Sequence, residues 1–459
     1  MNPGLLTFIR IMNYIIFTYF ITLNIWYFVL NFIAYRGLKQ YSNKLRTVAP
    51  NDYILLKSYP ALTYIVPAFN EEDSCIESIA SLLKTKYPNI SVIFVNDGST
   101  DNTLETMITY FEMEEAYLPK TANIETQKVK TIYQSSRYEN LWLIDKVNGK
   151  KADALNVGIN HAQTPLIANI DSDSMLEQDA ISRVAVPFME DDRTIVSGGI
   201  IRMSNGCEFK NGHIKKVKLP RNIWARFQIV EYLRAFLSGR VAWDMMDASL
   251  IVSGAFGVFS REAVVNVGGY LHETIGEDME LIVRLHHYYC DNDIPYKIRF
   301  IPDPVAWTKG PEKMKTLAKQ RDRWHRGLID TLRIHRKMVF RKKYGNVGKW
   351  AMPFFFIYEM AGPLIELIGY IIFAFLLITG FATKIYVIAF ILVAIILGMT
   401  LSIFSLVLEE ISFHRYPKFS QLIHLMWISL LENFGYRQLN TLWRIRGTYS
   451  YMINNQDWY

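Results

Sequence analysis

Three acidic motifs and one basic-aromatic motif hold the side chains of this chain that could carry chemistry. Asp97, the pair Asp171 and Asp173, and Asp278 each lie in a short polar motif. Grouped carboxylates can bind a divalent cation, and a carboxylate that faces a cleft can take a proton from a hydroxyl group. Residues 320–324 read Gln-Arg-Asp-Arg-Trp, which combines hydrogen-bond donors with a flat aromatic ring. These residue types suit a site for a phosphorylated ligand and a metal ion.

Apolar segments predict the strands that would position the first two acidic motifs. They lie at residues 62–66, 90–95, 129–134 and 166–170, with helical patterns between several of them. Continuous apolar strands that alternate with helices are typical of a parallel α/β sheet, which binds ligands beyond the carboxyl ends of its strands. Asp97 directly follows the second strand, so we expect it at that edge. A turn or helix-capping role is the alternative.

The Asp-Ser-Asp motif at residues 171–173 directly follows the fourth predicted strand. Two carboxylates one residue apart at a strand end can converge on one divalent cation, usually together with substrate phosphates. The same motif also occurs in ordinary turns. A second strand-end aspartate on the same predicted edge favours the metal site.

Lys151 lies near the start of a helix predicted by the segment at residues 149–156. Free backbone N–H groups at a helix N-terminus, together with a lysine cation, suit a phosphate group. A lysine that is simply solvated is the alternative.

A second predicted helix begins at the Gly-Glu-Asp motif that contains Asp278. An aspartate in a first helical turn commonly only complements the helix dipole, whereas one that acts as a base must face a cleft. Upstream, residues 251–259 give a strand pattern that is interrupted by Gly254 and Gly257. Glycines inside a strand pattern indicate that another group approaches the backbone closely.

Residues 312–338 predict a long helix that carries the basic-aromatic motif. Gln320, Arg323 and Trp324 are spaced i, i+3 and i+4, and therefore share one helix face. An arginine can grip a diphosphate through two hydrogen bonds, and a tryptophan offers a flat platform for a sugar ring. A basic helix that lies on lipid headgroups is the alternative.

Apolar segments near both ends of the chain predict membrane-spanning helices. Residues 11–34 are long enough to cross about 30 Å of hydrocarbon, and they run into a basic stretch, which favours a retained anchor over a signal peptide. Residues 352–379 and 385–408 predict a hairpin of two further spans with basic residues on both flanks. The positive-inside rule then places the central region in the cytosol.

Three apolar segments are not predicted as simple membrane spans. Glu359 and Glu366 lie inside a predicted span, where a carboxylate must face protein or water, so we expect part of it to be interfacial and part to line a polar path. Residues 422–431 are few and precede several arginines, which favours an interfacial or re-entrant helix. Residues 222–237 fit either a core helix or one that lies against the membrane.

Composition limits the classes of partner. The chain has 459 residues, a net charge of +7 and 51% hydrophobic residues, which allows a catalytic domain plus membrane segments. The positive charge suits anionic phospholipid or a phosphorylated substrate, and without a zinc-finger, helix-turn-helix or RNP signature we expect no nucleic-acid partner. The three cysteines are far apart and lack C-x-x-C spacing, which argues against a disulfide framework or a zinc site.

The chain is predicted to divide into four parts. They are an anchor at residues 1–36, a cytosolic domain at 50–340, transmembrane helices at 350–410, and an interfacial or re-entrant helix with a cytosolic tail at 411–459.

Taken together and in this order, the motifs resemble the processive, inverting family-2 glycosyltransferases, which include bacterial cellulose, hyaluronan and poly-N-acetylglucosamine synthases. The resemblance extends from about residue 62 to Trp324. It implies a GT-A fold, that is, an α/β, Rossmann-like cytosolic domain with a mostly parallel central sheet. It also implies transmembrane and interfacial helices at both ends of the chain.

The resemblance also implies a role for each motif. The residues that would contact the nucleotide are Pro67, Asn70, Glu71, Asp97, Lys151 and Asp171. Asp171 and Asp173 would bind the metal ion and the diphosphate, and Asp278 would be the general base, with Glu277 beside it. The diphosphate and the acceptor end of the polymer would be bound by Gln320, Arg323 and Trp324, with Ser253 and Gly254 at the border of the acceptor site.

The function implied is polymerisation of UDP-N-acetylglucosamine or UDP-glucose into a β-linked exopolysaccharide by a multi-pass plasma-membrane enzyme with Mg²⁺ or Mn²⁺. The expected partners are the UDP-sugar donor, the growing polysaccharide and the lipid bilayer. Since few spans are predicted, we also expect a homo-oligomer or an accessory export subunit.

Two alternatives and two departures accompany this interpretation. The alternatives are a non-processive transferase that adds one sugar to a membrane lipid, and a nucleotide-sugar sensor without activity. The sensor is disfavoured because no expected acidic position is lost. The departures are Asp322, an acidic residue inside the Q-x-x-R-W motif, and Met279 and Glu280, which differ from the cellulose-type sequence after the base.

Overall fold

The computed structural model describes residues 3–47, 59–172, 174–210, 213–413, 416 and 418–453. Asp173, half of the predicted metal motif, lies outside these residues. The described strands are β1 (Leu62–Ala68), β2 (Ile90–Asn96), β3 (Met113–Glu115), β4 (Val129–Ser135), β5 (Leu141–Lys146), β6 (Leu166–Ile170), β7 (Met175–Leu176), β8 (Thr194–Met203), β9 (Glu208–Lys210), β10 (His213–Lys216), β11 (Phe256–Ser260) and β12 (Lys297–Thr308).

The helices of the same residues flank these strands and form the first and last described segments. They are α1 (Pro3–Thr47), α2 (Cys75–Leu83), α3 (Thr103–Tyr110), α4 (Lys150–His161), α5 (Ala180–Glu190), α6 (Ile223–Leu233), α7 (Val241–Met245), α8 (Arg261–Asn266), α9 (Glu277–Asp291), α10 (Met314–Ile334), α11 (Met352–Phe354), α12 (Gly362–Ile378), α13 (Lys384–Ile391), α14 (Leu397–Ser412), α15 (Phe419–Leu431) and α16 (Arg437–Met452).

A mixed sheet in the order β3-β4-β5-β2-β1-β6-β11-β8-β12-β7 forms the centre of the described chain. Its central strands β5, β2, β1 and β6 are parallel, which confirms the predicted centre. The pairs of β3 with β4, β4 with β5, and β11 with both its neighbours are antiparallel. The carboxyl ends of the parallel strands therefore meet at one edge, as expected for a ligand-binding α/β sheet.

Alternation along the central strands divides the core between the two faces of the sheet. Tyr64 and Val66 of β1 belong to one buried cluster, with the apolar sides of α2 and α5 and the later part of α1. Ile65 of β1 and Ile93 of β2 belong to the other, with α4 and one side of α9. Since both faces are covered, these strands are apolar throughout, which is why their pattern is recognisable in the sequence.

The predicted strand at residues 251–259 is wrong in its first half. Only Phe256–Ser260 pairs, as β11, whereas residues 251–255 form a loop. Val252 in this loop packs where Gly198 and Gly257 have no side chain, since a Cβ on either glycine would lie 2.8 Å or less from its methyl carbon. This packing turns the chain out of the sheet and frees the backbone of Gly254 to approach another group.

The structure shows which of the predicted membrane segments form long apolar helices. Within the described residues, two helices are long and apolar enough to cross a membrane, Thr7–Lys44 and Lys384–Ser412, and a third span results if Val347–Met360 and Gly362–Ile378 count as one. That pair is bent by 41°, as a broken span or a re-entrant loop would be, and the expected division of residues 352–379 into an interfacial and a spanning part stays a prediction. Pro363 lacks an N–H and therefore breaks the hydrogen-bond ladder at the bend.

The structure bears on the two alternatives for residues 222–237 and on the surroundings of Glu366. Residues of α6 and of the π-helix Arg234–Arg240 that follows it lie in the main core cluster, which favours a core helix over one that lies against the membrane. The π-helix also contacts α14, since the Arg234 guanidinium donates a hydrogen bond to the Ser402 hydroxyl over 2.7 Å. Glu366 accepts hydrogen bonds from Tyr19 and Thr441 over 3.3 and 2.9 Å, so this carboxylate faces protein.

Candidate active site

The loops after β1 and β2 are joined at the carboxyl edge of the sheet. Asn70 has a left-handed φ of 58°, a conformation that asparagine tolerates, and its side-chain oxygen accepts a hydrogen bond from Thr100 N over 2.8 Å. Glu71 N donates to the Thr103 hydroxyl, also over 2.8 Å. The predicted nucleotide residues Pro67, Asn70 and Glu71 therefore lie beside the loop that begins at Asp97.

Asp97 lies in a buried ion-pair cluster that the sequence did not predict. Lys146, at the end of β5, is fully buried and forms ion pairs with Asp97 and with Asp153 of α4, the latter over 2.6 Å. Gly149 N donates to Asp97 Oδ1 over 2.9 Å. Burial raises the pKa of Asp97, and the Lys146 hydrogen bond opposes this rise. Asp97 thus holds the loop before α4 in place, and its predicted contact with the nucleotide stays a prediction.

Lys146 could have been noticed in the sequence. It lies two residues after the end of the apolar run at residues 141–144, opposite the strand-end position that Asp97 takes after β2. Two opposite charges at the ends of two strands can pair only if the strands are neighbours, and that adjacency is a property of the fold.

A second charged cluster brings three predicted motifs together. Lys151, in the first turn of α4, lies 2.5 Å from Asp171 Oδ1 and 3.8 Å from Glu277 Oε1. The Lys151 ammonium also donates to the Gly254 carbonyl over 3.4 Å, and Gly254 N donates to Asp278 Oδ2 over 3.1 Å. Chain segments from four parts of the sequence therefore converge within hydrogen-bonding reach.

The Gly254 backbone bridges the lysine and the predicted base. The loop at residues 251–255 leaves the sheet here, and Asp171 N donates to the Ala255 carbonyl over 3.3 Å, which fixes the loop to the end of β6. A Cβ at position 254 would lie 3.2 Å from Asp278 Oδ2, so the side chain of the base lies directly over the glycine. The predicted border of the acceptor site, Ser253 and Gly254, is thus in contact with the predicted base.

Burial raises the pKa of Glu277 from 4.5 to about 7, against the opposing charge of Lys151. A raised carboxyl pKa means that the folded protein binds this proton more tightly than the unfolded chain, so the stabilisation is full below about pH 4.5 and is lost as pH rises to 7. We expect Glu277→Gln to remove this loss. Thermal unfolding in detergent at several pH values between 5 and 8 would measure it. The exposed Glu114→Gln is the control, and equal pH slopes in wild type and Glu277→Gln would contradict the expectation.

The helix of the basic-aromatic motif, α10, packs against the start of α9 through two glycines. A Cβ on Gly276 would lie 2.9 Å from Gly327 Cα, which a larger residue could not accommodate without a shift of the backbone. The charge of Arg323 acts on Glu277, which places the arginine near the acidic cluster. The motif predicted to hold diphosphate and acceptor thus lies beside the predicted base.

The three predicted residues of α10 differ in their surroundings. The side-chain oxygen of Gln320 is buried and accepts no hydrogen bond from the described residues. The Trp324 ring is 42% exposed and lies 6.5 Å from that of Tyr232. Arg321, which was not predicted, stacks 4.4 Å from the Trp324 ring centroid and forms an ion pair with Glu231 over 2.7 Å. Arg321 therefore helps to hold the Trp324 ring in its position.

Arg240 is a further candidate site residue that the sequence analysis did not single out. It is the last residue of the π-helix after α6, and π-helical segments are frequent at functional sites. Its guanidinium lies 3.9 Å from the Phe236 ring centroid, and one of its terminal nitrogens is buried without a hydrogen-bond partner among the described residues. Burial lowers the pKa of Arg240 to about 10, and the charge of Asp278 opposes this. An arginine four residues after an aromatic residue was the only signal in the sequence.

No group of three or more His, Cys, Asp or Glu side chains that could hold a metal ion occurs within the part of the chain that the structure describes. The Asp171 side chain is about one-third exposed at the strand end, and its partner Asp173 is outside that part. The metal assignment of this pair stays a prediction.

Comparison with known proteins concerns the family and the fold. Residues 63–241 match the model of glycosyl transferase family 2, and residues 166–407 match that of glycosyl transferase family group 2. The fold is similar to that of the mannosyltransferase PcManGT from Pyrobaculum calidifontis in complex with GDP-Man and Mn²⁺, with a TM-score of 0.52, 16% identity, and coverage of 96% of this chain and 100% of that chain. This likeness concerns the fold alone, and it confirms the predicted GT-A class.

Two curated relatives are poly-beta-1,6-N-acetyl-D-glucosamine synthases. The chain is 25% identical over 282 residues to that of Staphylococcus epidermidis, covering 60% of this chain and 58% of the relative. It is 26% identical over 267 residues to that of Staphylococcus aureus (strain MSSA476), covering 58% and 54%. The chain thus spans little more than half the length of these relatives. Since one family model covers more than half of the chain, and the predicted motifs converge in a GT-A fold, the chain belongs to glycosyl transferase family group 2.

Proposed function

We propose that the protein is an inverting, processive glycosyltransferase that transfers a sugar from a UDP-sugar to a growing β-linked polysaccharide. The observation that carries this proposal is the convergence of Lys151, Asp171, Glu277, Asp278 and Gly254 at the carboxyl edge of the parallel strands. The names of the curated relatives support a polymer of N-acetylglucosamine, with UDP-glucose as the other candidate donor. We further propose that the enzyme lies in the plasma membrane with this domain in the cytosol.

Asp278 would act as the general base of the transfer. Its Oδ2 is oriented by Gly254 N and its Oδ1 by Met279 N, over 3.1 and 2.8 Å, so the carboxylate is held in one rotamer. The acceptor hydroxyl oxygen attacks the anomeric carbon and gives its proton to Asp278. The bond from that carbon to the diphosphate breaks on the opposite face, which inverts the configuration, and UDP leaves with the electron pair.

Cations of the chain would stabilise the departing diphosphate. Lys151 lies at the N-terminus of α4, where backbone N–H groups also favour a phosphate, and Arg323 lies on the neighbouring α10. Oxygen donors such as Asp171, with Asp173, fit Mg²⁺ or Mn²⁺, which are usually held by one or two carboxylates plus substrate phosphates. When bound, the ion would neutralise charge on the diphosphate. The Mn²⁺ that accompanies GDP-Man in the PcManGT complex supports this requirement.

Asp171→Asn is expected to weaken the metal-dependent part of nucleotide binding. Loss of one carboxylate charge should reduce UDP affinity in Mn²⁺ by about tenfold, with little change in EDTA. Isothermal titration of UDP with and without Mn²⁺ measures this. Asp293→Asn is the control, because Asp293 is exposed and its φ of 53° is one that asparagine adopts. An unchanged Mn²⁺ dependence of UDP affinity in Asp171→Asn would refute the role.

Labelled UDP-sugars test the function directly. The purified protein in detergent is incubated with each UDP-sugar and Mg²⁺ or Mn²⁺, and the product is sized. A high-molecular-weight product from one sugar would establish a synthase and name its donor. A single sugar on lipid would overturn processivity in favour of the lipid transferase.

The exit of the polymer would follow the apolar helices. We propose that a second copy or an export subunit completes its path, because the described helices supply two or three spans. Cross-linking and size measurement in detergent test this, and a lone monomer that exports polymer in liposomes would contradict it.

A further inference from the structure

The last described helix, α16, lies directly on the helix of the basic-aromatic motif, α10. They are in close contact at Gly447, where a Cβ would lie 2.8 Å from the backbone oxygen of Asp322 and 3.2 Å from the Cβ of His325. A side chain at position 447 would force the two helices apart. Glycine therefore permits a close contact at Asp322, the acidic residue inside the Q-x-x-R-W motif.

Asp322 faces α16 and not the predicted ligand-binding face of α10. At 100° per residue, position 322 lies on the side of the helix opposite Gln320, Arg323 and Trp324. The Asp322 carboxylate is buried, forms an ion pair with Arg326 over 2.8 Å, and accepts a hydrogen bond from the Ser450 hydroxyl of α16 over 3.2 Å. A buried carboxylate requires such partners. This acidic departure therefore fixes the rear of the motif to α16.

His325 adds a second connection one turn away. Its Nε2 is 3.0 Å from the Thr448 hydroxyl, and Arg444 Nε donates to its Nδ1 over 3.4 Å. Burial lowers the pKa of His325 to about 3, so the ring is neutral and its Nδ1 can accept from the arginine.

Arg444 continues the connection to the bend between Val347–Met360 and α12. Pro363 has no N–H, so it cannot donate the hydrogen bond that a regular helix would give to the Glu359 carbonyl. Arg444 Nη2 donates to this carbonyl and, over 3.0 Å, to the Glu359 carboxylate. One guanidinium therefore joins a proline-induced bend in the apolar region to the rear of the motif helix.

We propose that α16 positions the motif helix, with Arg444 and Asp322 as positioning residues, so that the placement of Gln320, Arg323 and Trp324 in the site depends on the bend at Glu359. This role rests on the proposed function only for its effect on transfer. The coupling between the three helices can be measured without any sugar substrate.

Hydrogen–deuterium exchange of the full-length protein in detergent tests the coupling. In Arg444→Met we expect exchange of the α10 amides to rise by about tenfold, while exchange in α4 stays at the wild-type rate. Arg446→Met is the matched control, since this arginine is 59% exposed and lies 3.7 Å from Asp322, an ion pair that solvent weakens. Thr448→Val, which keeps side-chain volume and removes the hydroxyl that contacts His325 and the Arg444 carbonyl, is a second variant should Arg444→Met fail to fold. Unchanged α10 exchange, or an equal rise in α4, would overturn the proposal.

Kinetics separate positioning from general destabilisation. Arg444→Met should lower kcat by about tenfold and lower UDP affinity by a smaller factor, because only the α10 contacts with the diphosphate are disturbed and the other nucleotide residues lie on other elements. Arg444→Lys, which keeps the charge, should recover part of the rate. If the wild type transfers no sugar, the proposed function fails, whereas the exchange result still decides the coupling.

Discussion

Asp278→Asn is expected to reduce sugar transfer by about 100- to 10,000-fold, the range that a general base contributes, and to leave UDP affinity within about twofold. An asparagine keeps the oxygen that can accept from Gly254 N over 3.1 Å, so the loop at residues 251–255 should stay in place. It cannot take the proton of the acceptor hydroxyl. Steady-state transfer and UDP titration on the same preparation measure the two effects.

The matched control for this substitution is Asp192→Asn, an exposed carboxylate on the loop between α5 and β8. It should transfer sugar at the wild-type rate. Wild-type turnover by Asp278→Asn would show that the base is misassigned, and Glu277 would then be the next residue to test, since its carboxylate lies 3.8 Å from Lys151. Loss of UDP binding together with activity would indicate a structural role for Asp278.

Lys146→Met is expected to destabilise the domain by about 3–5 kcal/mol, the cost of leaving buried charges without their partner. Lys146 is fully buried, and its removal leaves both Asp97 and Asp153 as uncompensated carboxylates at the nucleotide edge. We therefore expect a lower unfolding temperature and weaker UDP binding. Thermal unfolding in detergent and UDP titration measure these effects.

Lys130→Met provides the comparison. Lys130 is 48% exposed and pairs over 3.2 Å with the buried Asp145, which also accepts a hydrogen bond from Asn96, so its substitution removes the same charge at a cost of about 1 kcal/mol. Equal unfolding temperatures for the two variants would show that the cluster around Lys146 contributes no special stability. A destabilised Lys146→Met with normal UDP affinity would separate stability from nucleotide binding.

The predicted strands and motif positions depended on local patterns. The four predicted strands are present, and Asp97 and Asp171 follow two of them as expected, because strands buried on both faces are apolar throughout. The predicted helix at residues 312–338 is present as α10, and a 3-10 turn at Arg336–Met338 continues it. The long apolar helices were recognisable from length and composition.

Long-range contacts could not be predicted from the sequence. Lys146 pairs with Asp97 because β5 and β2 are adjacent and in register. The hydrophobic pattern of either strand does not predict which strand is its neighbour. Asp322 stood out only as a departure until the structure placed it against α16, more than a hundred residues later in the chain. The position and size of the 41° bend beside Pro363 also came only from the structure.

The fold class, the family resemblance and the residue types of the site follow from the sequence alone, because hydrophobic periodicity and short motifs are local properties of the chain. Which charges meet is a property of the folded protein. Strand order, loop packing and the contact of two glycines join Lys151 to Asp171 and Glu277, and Gly254 to Asp278. Ion pairs and close backbone contacts depend on distances between residues remote in sequence, and those distances exist only in the folded chain.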